Sequence, residues 1–248
     1  MPPKSAVLLP LYIYPLPGAW EPLHRSIADN PNLQFIIILN PHNGPGASSL
    51  PDEDYSREIP KLTSQPNVIT VGYVRIDYCK RNLTEVFRDV AKYTGWSKDN
   101  AKSGLGVHGV FLDETPNLYS ASKASYLDTV SQYIKASAGL LGDRLVIHNP
   151  GTVPDPELAK PGPDITTVVE ESFVNYQSVA LQQRLRSLLR YKRDKCAYMV
   201  HSVPEAKMQS LVQELRHRGA YLFVTDLCSD YYCSFGPGWK RFIEAMQN

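Results

Sequence analysis

Eight short apolar runs, set apart by longer amphipathic stretches, constrain this chain of 248 residues more than any other feature. They extend from Ala6 to Tyr14, Gln34 to Leu39, Val68 to Ile76 and Val107 to Asp113. The second four extend from Arg144 to His148, Ile165 to Glu171, Cys196 to His201 and Ala220 to Asp226. Several are apolar on consecutive residues, such as FIIIL at 35 to 39 and YLFVT at 221 to 225, as expected of strands covered on both faces. Helical periodicity lies between them, from Leu83 to Tyr93, Ser122 to Ala138, Val179 to Tyr191, Glu205 to His217 and Trp239 to Met246. Pro204 suits the start of a helix and Gly219 a stop. Repeated βα units build a parallel sheet. The segment TVPDPELAKPGPD, with four prolines, leaves room for barely one helical turn. With no Ser/Gly-rich linker and no residue-level repeat, the expectation is α/β: one domain over residues 1–248, a single (β/α)8 TIM barrel with a degenerate helical connection between strands five and six. A doubly wound open sheet is the alternative.

Charge and composition narrow the partners. Lys and Arg number 26 against 25 Asp and Glu, a net charge of +1, so no overall field gathers nucleic acid or anionic membrane. The longest apolar runs fall far short of the roughly 20 residues that span a bilayer. The start, MPPKSAVLLPLYIYPLPGAW, resembles a secretory leader, but Pro10, Pro15 and Pro17 interrupt it and it reads as a first strand. The chain as given is therefore expected in the cytoplasm, or secreted or at the cell surface if a leader has been removed, and as a monomer. Cys79, Cys196, Cys228 and Cys233 form no zinc pattern. Cys196 opens strand seven while the others follow strands three and eight. A strand spans about 20 Å, several times the Cα separation a disulfide tolerates. At most one bond is expected, Cys228 with Cys233, leaving Cys196 free.

Function in such a barrel sits at the C-terminal ends of the strands. Those ends carry Tyr12 and Tyr14; Asn40, His42 and Asn43; Arg75 and Asp77; Asp113 and Glu114. The remaining four carry His148 and Asn149; Glu170 and Glu171; His201; Thr225 and Asp226. Carboxylates, amides and aromatic rings on one face suit a sugar, whose rings stack on aromatics and whose hydroxyls take polar partners. Tyr12, Asn40, His42, Asp77, Asn149, His201 and Asp226 are the candidate substrate-binding residues. Alternation sends only one of Asp113 and Glu114 to the barrel axis. If it is Asp113, Phe111 and Gly109 share its side, Gly109 leaves space below, and His108 faces the helices. An acidic pair at a strand end can also simply cap the next helix. A second pair, Glu170 and Glu171, favours chemistry, since glycoside hydrolysis needs two carboxyl groups flanking the scissile bond.

These strand ends resemble the spherulin-4-like glycoside hydrolase family (glycoside hydrolase family 135). The matching stretches are PLYIYP at 10 to 15, ILNPHNGPG at 38 to 46, VGYV at 71 to 74, GVFLDE at 109 to 114, NPGTVP at 149 to 154, VVEESF at 168 to 173, VHSVP at 200 to 204 and FVTDL at 223 to 227. The resemblance implies a (β/α)8 fold, endo-acting hydrolysis of α-1,4-linked N-acetylgalactosamine in a galactosaminogalactan-type polysaccharide, and acidic residues at Asp113, Glu114 and Glu170. Asp113 is then the expected nucleophile and Glu170 the general acid/base, with Glu114 tuning their protonation and orienting substrate. A retaining mechanism follows from the lack of an obvious third carboxylate to activate water, unless Asp77 reaches the axis and serves as the base of an inverting one. No cofactor is expected, and no metal, because the rim lacks a His/carboxylate triad at ligand spacing. The rival readings are a barrel that binds polysaccharide without cleaving it, as a wall or spore-coat component, and a metal-dependent deacetylase.

Other features carry a plainer reading. His24, His108 and His217 are expected to be structural or surface histidines, and the run from Arg184 to Lys195 an amphipathic helix with a solvated basic face. Tyr231, Tyr232 and Trp239 either form a sugar platform or pack the last helix. Asn82-Leu83-Thr84 is a glycosylation sequon, relevant only to a secreted chain.

Overall fold

The computed structural model of the chain describes residues 3–159, 162–186 and 192–247. Eight parallel strands close into a barrel in sequence order. They are β1 (Ala6–Leu11), β2 (Phe35–Leu39), β3 (Val68–Arg75), β4 (Gly109–Asp113), β5 (Leu145–Asn149), β6 (Ile165–Ser172), β7 (Cys196–His201) and β8 (Tyr221–Val224). Every residue of β1 and β2 is buried, because each side chain meets either the barrel interior or the helical layer. Most neighbours share four or more registered pairs, from Val7↔Phe35 to Leu11↔Leu39 between β1 and β2, for example. Two joints are shorter. β1 meets β8 at Ala6↔Tyr221 and Val7↔Leu222, and β5 meets β6 at Ile147↔Ile165 and His148↔Thr166.

The outer layer contains α1 (Glu21–Asp29), α2 (Glu53–Thr63), α3 (Leu83–Ser97), α4 (Asn100–Ser103), α5 (Ala121–Ala136), α6 (Phe173–Tyr176), α7 (Val179–Leu185), α8 (Met208–Arg218) and α9 (Trp239–Gln247). Their starts are sealed by short polar side chains that accept otherwise orphaned backbone N–H groups: Asp52 from Tyr55, Asn82 from Thr84, Ser120 from Lys123 and Ser178 from Leu181. Between β5 and β6 the described residues form a 3-10 turn, over Pro156–Ala159, and no α-helix, as the prolines require.

Several boundaries differ from the sequence reading. β1 ends at Leu11 and not at Tyr14, because the amide of Tyr12 turns back to the carbonyl of Pro10, at 3.2 Å, and leaves the ladder. β8 ends at Val224 because Thr225 Oγ1 accepts from the amide of Leu227 and begins a turn. Helices α1 and α2 are additions. Each contains a proline, Pro22 and Pro60, that interrupts the pattern in sequence but is accommodated in the fold. A 3-10 turn, Glu205–Lys207, precedes α8, so the α-helix starts later than Glu205. The helix expected to reach Tyr191 is described to Leu185, and residues 187–191 of that stretch and of the basic run lie outside the described residues. No void lies under Gly109. A Cβ there would meet the carbonyl oxygen of Leu145 at 2.1 Å, so the missing side chain lets β5 close against β4.

All four cysteines are free thiols, Cys196 buried and Cys228 and Cys233 exposed. The expected bond between Cys228 and Cys233 is not formed. The Cys228 thiol turns back to the carbonyl of Asp226, at 3.7 Å, and a turn from Asp230 to Cys233 separates the pair. His108 bonds with Thr70 and His24 with Glu58, both structural partners, and His217 is exposed. No described helix is long and apolar enough to cross a membrane.

Candidate active site

At the C-terminal mouth, Asp113 and Glu170 face each other across one amide. Asn149, the last residue of β5 and 7% exposed, donates from Nδ2 to Asp113 Oδ1 at 2.8 Å and to Glu170 Oε2 at 2.8 Å. The outer oxygens are held by phenols. The Tyr73 hydroxyl donates to Asp113 Oδ2 and the Tyr232 hydroxyl to Glu170 Oε1, each at 2.6 Å. Five side chains from β3, β4, β5, β6 and the loop after β8 thus form one continuous chain of hydrogen bonds. Tyr12 closes it from above β1. Its ring meets Tyr73 edge-on at 5.7 Å and Tyr232 at 5.2 Å, and its hydroxyl has no partner among the described residues.

The alternation argued from sequence explains the asymmetry of the acidic pair on β4. Asp113 is axial, above Phe111, which stacks on Tyr73. Glu114 leaves the strand with a φ of 55° and pairs with Arg75 Nε at 2.8 Å. Arg75 also reaches Asp77 Oδ1 at 3.3 Å, so one guanidinium ties both carboxylates at the rim. The turn that carries Asp77 is strained. Asp77, Tyr78 and Cys79 all have positive φ, from 49° to 68°, and the amide of Tyr78 is tied to the carbonyl of Glu114 at 2.8 Å.

Burial raises Glu170 above the ordinary glutamate range, and the charges of Asp113 and Glu171 push the same way; the donors Tyr232 and Asn149 only partly offset this. Burial and the nearby carboxylates likewise raise the phenols of Tyr12 and Tyr232, which remain protonated donors. Each acid accepts from two donors, and the burial that raises Glu170 is a shift in the direction a general acid needs.

The other rim candidates separate. Asn40 accepts the amide of Gly44 at 2.9 Å and shapes the loop after β2, where His42 is exposed. His201 bonds Ser202 Oγ at 2.9 Å and stacks on Tyr231 at 4.1 Å and 5°. Asp226 accepts the amide of Gly238 at 3.1 Å, fastening the loop that leads into α9. His148, at a strand end, turns outward toward Ser131 on α5. Burial lowers its pKa to about 4. Of the late aromatics, Tyr232 enters the site, Tyr231 lies on His201, and Trp239 packs α9 through Ser26 at 2.9 Å. Sequence reasoning did not single out Tyr73. Alternation from Arg75 places it on the same side of β3, which is the signal that finds it. Among the described residues no group of three or more His, Cys, Asp or Glu is placed to hold a metal ion.

The family model for spherulation-specific family 4 matches residues 6–246. No curated protein sequence matches the chain. Among solved structures, Sph3 of Aspergillus clavatus, in complex with GalNAc, is 39% identical, with a TM-score of 0.94 over 99% of this chain and 98% of its own. A class V chitinase from Pseudomonas fluorescens Pf-5 is 13% identical, with a TM-score of 0.54 over 99% and 98% of the two chains. A broad-specificity endoglucanase from an uncultured bacterium is 13% identical, with a TM-score of 0.51 over 95% and 86%. The last two share the barrel fold.

Proposed function

The chain belongs to spherulation-specific family 4, and on that premise we propose that it is a retaining glycoside hydrolase that cuts α-1,4-linked N-acetylgalactosamine inside a galactosaminogalactan-type polysaccharide. The observation that carries this reading is the shared amide. Two carboxyl oxygens each 2.8 Å from one nitrogen lie no more than twice that distance apart. This bound on the two inner oxygens accommodates the roughly 5 to 5.5 Å of retaining pairs. Asp77 pairs with Arg75 and bonds to neither Asp113 nor Glu170.

In the first step an Asp113 oxygen attacks the anomeric carbon as its bond to the leaving oxygen breaks, and Glu170 gives that oxygen its proton. In the second, the Glu170 carboxylate takes a proton from water, whose oxygen bonds to the same carbon and releases Asp113. The acetamido group of an α-linked sugar lies on the face of the leaving oxygen and cannot attack from behind, so the protein supplies the nucleophile. The sugar class rests on family membership and on the GalNAc bound by the A. clavatus relative. Exposed rings at Tyr78 and Tyr119, on the loops after β3 and β4, favour a polymer running across the mouth. Glu114, bonded to Arg75 and to neither acid, acts by shaping that rim.

The test is a reducing-end assay on galactosaminogalactan with Asp113→Asn and Glu170→Gln, both nearly isosteric. Each is expected to lower turnover by about 10³-fold or more with folding and oligosaccharide binding intact. Near-normal turnover in either would remove that acid from the chemistry, and binding without any turnover in the parent chain would return it to the polysaccharide-binding reading. Proton magnetic resonance of the first-formed product should show the α anomer; the β anomer would refute retention.

A further inference from the structure

The turn after β3 places three consecutive residues in the left-handed region, none of them glycine: Asp77 at a φ of 49°, Tyr78 at 53° and Cys79 at 68°. A residue with a Cβ pays for that backbone and keeps it only where its surroundings over-determine it. They do so here. The amide of Ile76 donates to the carbonyl of Asp113 at 3.1 Å, and that of Tyr78 to the carbonyl of Glu114 at 2.8 Å. The turn closes on itself through the amides of Lys80, to Asp77 at 2.8 Å, and Arg81, to Ile76 at 3.3 Å. Asp77 is paired with Arg75, and half-buried Cys79 packs against the core. These contacts hold the backbone and the flanking side chains. None holds the ring of Tyr78, which is 51% exposed and has no hydrogen bond or ring contact among the described residues. Tyr119 is exposed too, but on a backbone without this strain.

The fold gains nothing from strain that aims a ring at solvent. A bound sugar does gain, because the C–H face of a pyranose packs flat on an aromatic ring. We propose that the Tyr78 ring is the platform of a second sugar subsite, stacking the hexosamine unit next to the one whose bond is cut. This rests on the chain being a hydrolase of an N-acetylgalactosamine polymer. The bonds from Ile76 and Tyr78 seat the turn on the backbone of Asp113 and Glu114, so the platform keeps a fixed position relative to the nucleophile. Its consequence is selectivity for chain length: a polymer reaches Tyr78 and a single sugar at the acids does not.

The probes are GalNAc and an α-1,4-linked N-acetylgalactosamine oligosaccharide, titrated by calorimetry into the full chain carrying Glu170→Gln, which leaves them uncut. The oligosaccharide is expected to bind about tenfold or more tightly than GalNAc. Adding Tyr78→Ala should weaken the oligosaccharide about tenfold and leave GalNAc within about twofold, and Tyr78→Phe, which keeps the ring face, should preserve both affinities. Tyr78→Gly should weaken the oligosaccharide as Tyr78→Ala does but melt at a higher temperature than Tyr78→Ala, because glycine relieves the left-handed strain. The proposal is overturned by an oligosaccharide that binds no tighter than GalNAc, by unchanged affinity in Tyr78→Ala, by an equal loss in Tyr78→Phe, or by Tyr78→Gly melting below Tyr78→Ala. Turnover of the parent chain on the polymer tests the hydrolase separately: a chain that binds as expected and cuts nothing keeps the platform and loses the hydrolase.

Discussion

Replacing Tyr232 with Phe removes one donor from Glu170 and little else. The ring keeps its contacts with Tyr12, Phe223 and Tyr231, and what is lost is the 2.6 Å bond to Oε1 and a weak contact with Met199 Sδ at 3.6 Å. Burial already holds Glu170 above the ordinary glutamate range, and this phenol is one of the two groups pulling it back. A hydrogen bond to a charged group contributes about 1.5 to 3 kcal/mol, and one pKa unit is about 1.4 kcal/mol. Because the cleft admits water to replace part of the bond, the expected rise in Glu170 is about one unit. The sign follows from the mechanism. Glu170 must be protonated to expel the leaving group, so the alkaline limb of kcat/KM reports its ionisation. That limb should move to higher pH by about one unit in Tyr232→Phe while the acid limb stays in place. Initial rates on the polymer across the pH range measure it. A limb that does not move, or moves down, would refute the assignment of Glu170 as the acid under the control of Tyr232. A fall in rate at all pH values alike would mean that the hydroxyl serves the sugar instead.

Asn149→Ala removes the donor common to both acids and should cost about 10²-fold or more in turnover, with only a modest drop in melting temperature. Near-normal turnover would show that the acids hold their spacing without it. Asp226→Asn keeps an acceptor for the amide of Gly238, so kcat and KM on the polymer should stay within about twofold; a large rise in KM would put Asp226 on the substrate. At Glu58, burial pushes the pKa up, but bonds from Lys61, Arg57 and His24 outweigh it and hold it at about 2 against an ordinary 4.5. A depressed carboxylate stabilises the fold fully above its unfolded pKa, and that contribution, about 3 kcal/mol, is lost as pH falls from 4.5 through 2. Melting temperatures of Glu58→Gln should therefore vary less with pH across that window, and a slope equal to the parent's would disprove the linkage.

The barrel was readable because its strands are buried on both faces, which leaves runs such as FIIIL with no polar interruption. The same logic located Asp113, Asn149 and Glu170, since a polar residue directly after such a run emerges at the mouth. It could not say which way each one turns. Asp226, Asn40 and His201 occupy equivalent positions, yet local partners claim them: the amides of Gly238 and Gly44, and the hydroxyl of Ser202. Tyr232 was harder still, because it lies in the turn-rich loop after β8, where no strand period sets direction and only tertiary packing aims the phenol at Glu170. Helices α1 and α2 were hidden by Pro22 and Pro60.

The two short joints in the sheet divide the barrel wall into an arc of five strands, β1 to β5, and an arc of three, β6 to β8. Tyr12, Tyr73, Asp113 and Asn149 ride on the larger arc; Glu170 rides on the smaller, and Tyr232 follows it. The bond from Asn149 to Glu170 and the contact between Tyr12 and Tyr232 are therefore ties across the joints, one on each side. Nucleophile and acid belong to separate halves of the cylinder, so the gap between them is set by how the arcs are seated against each other, and neither strand sets it alone. A substitution low in a joint, at Thr166 or Val7 and out of reach of any sugar, would act on the chemistry by tilting one arc.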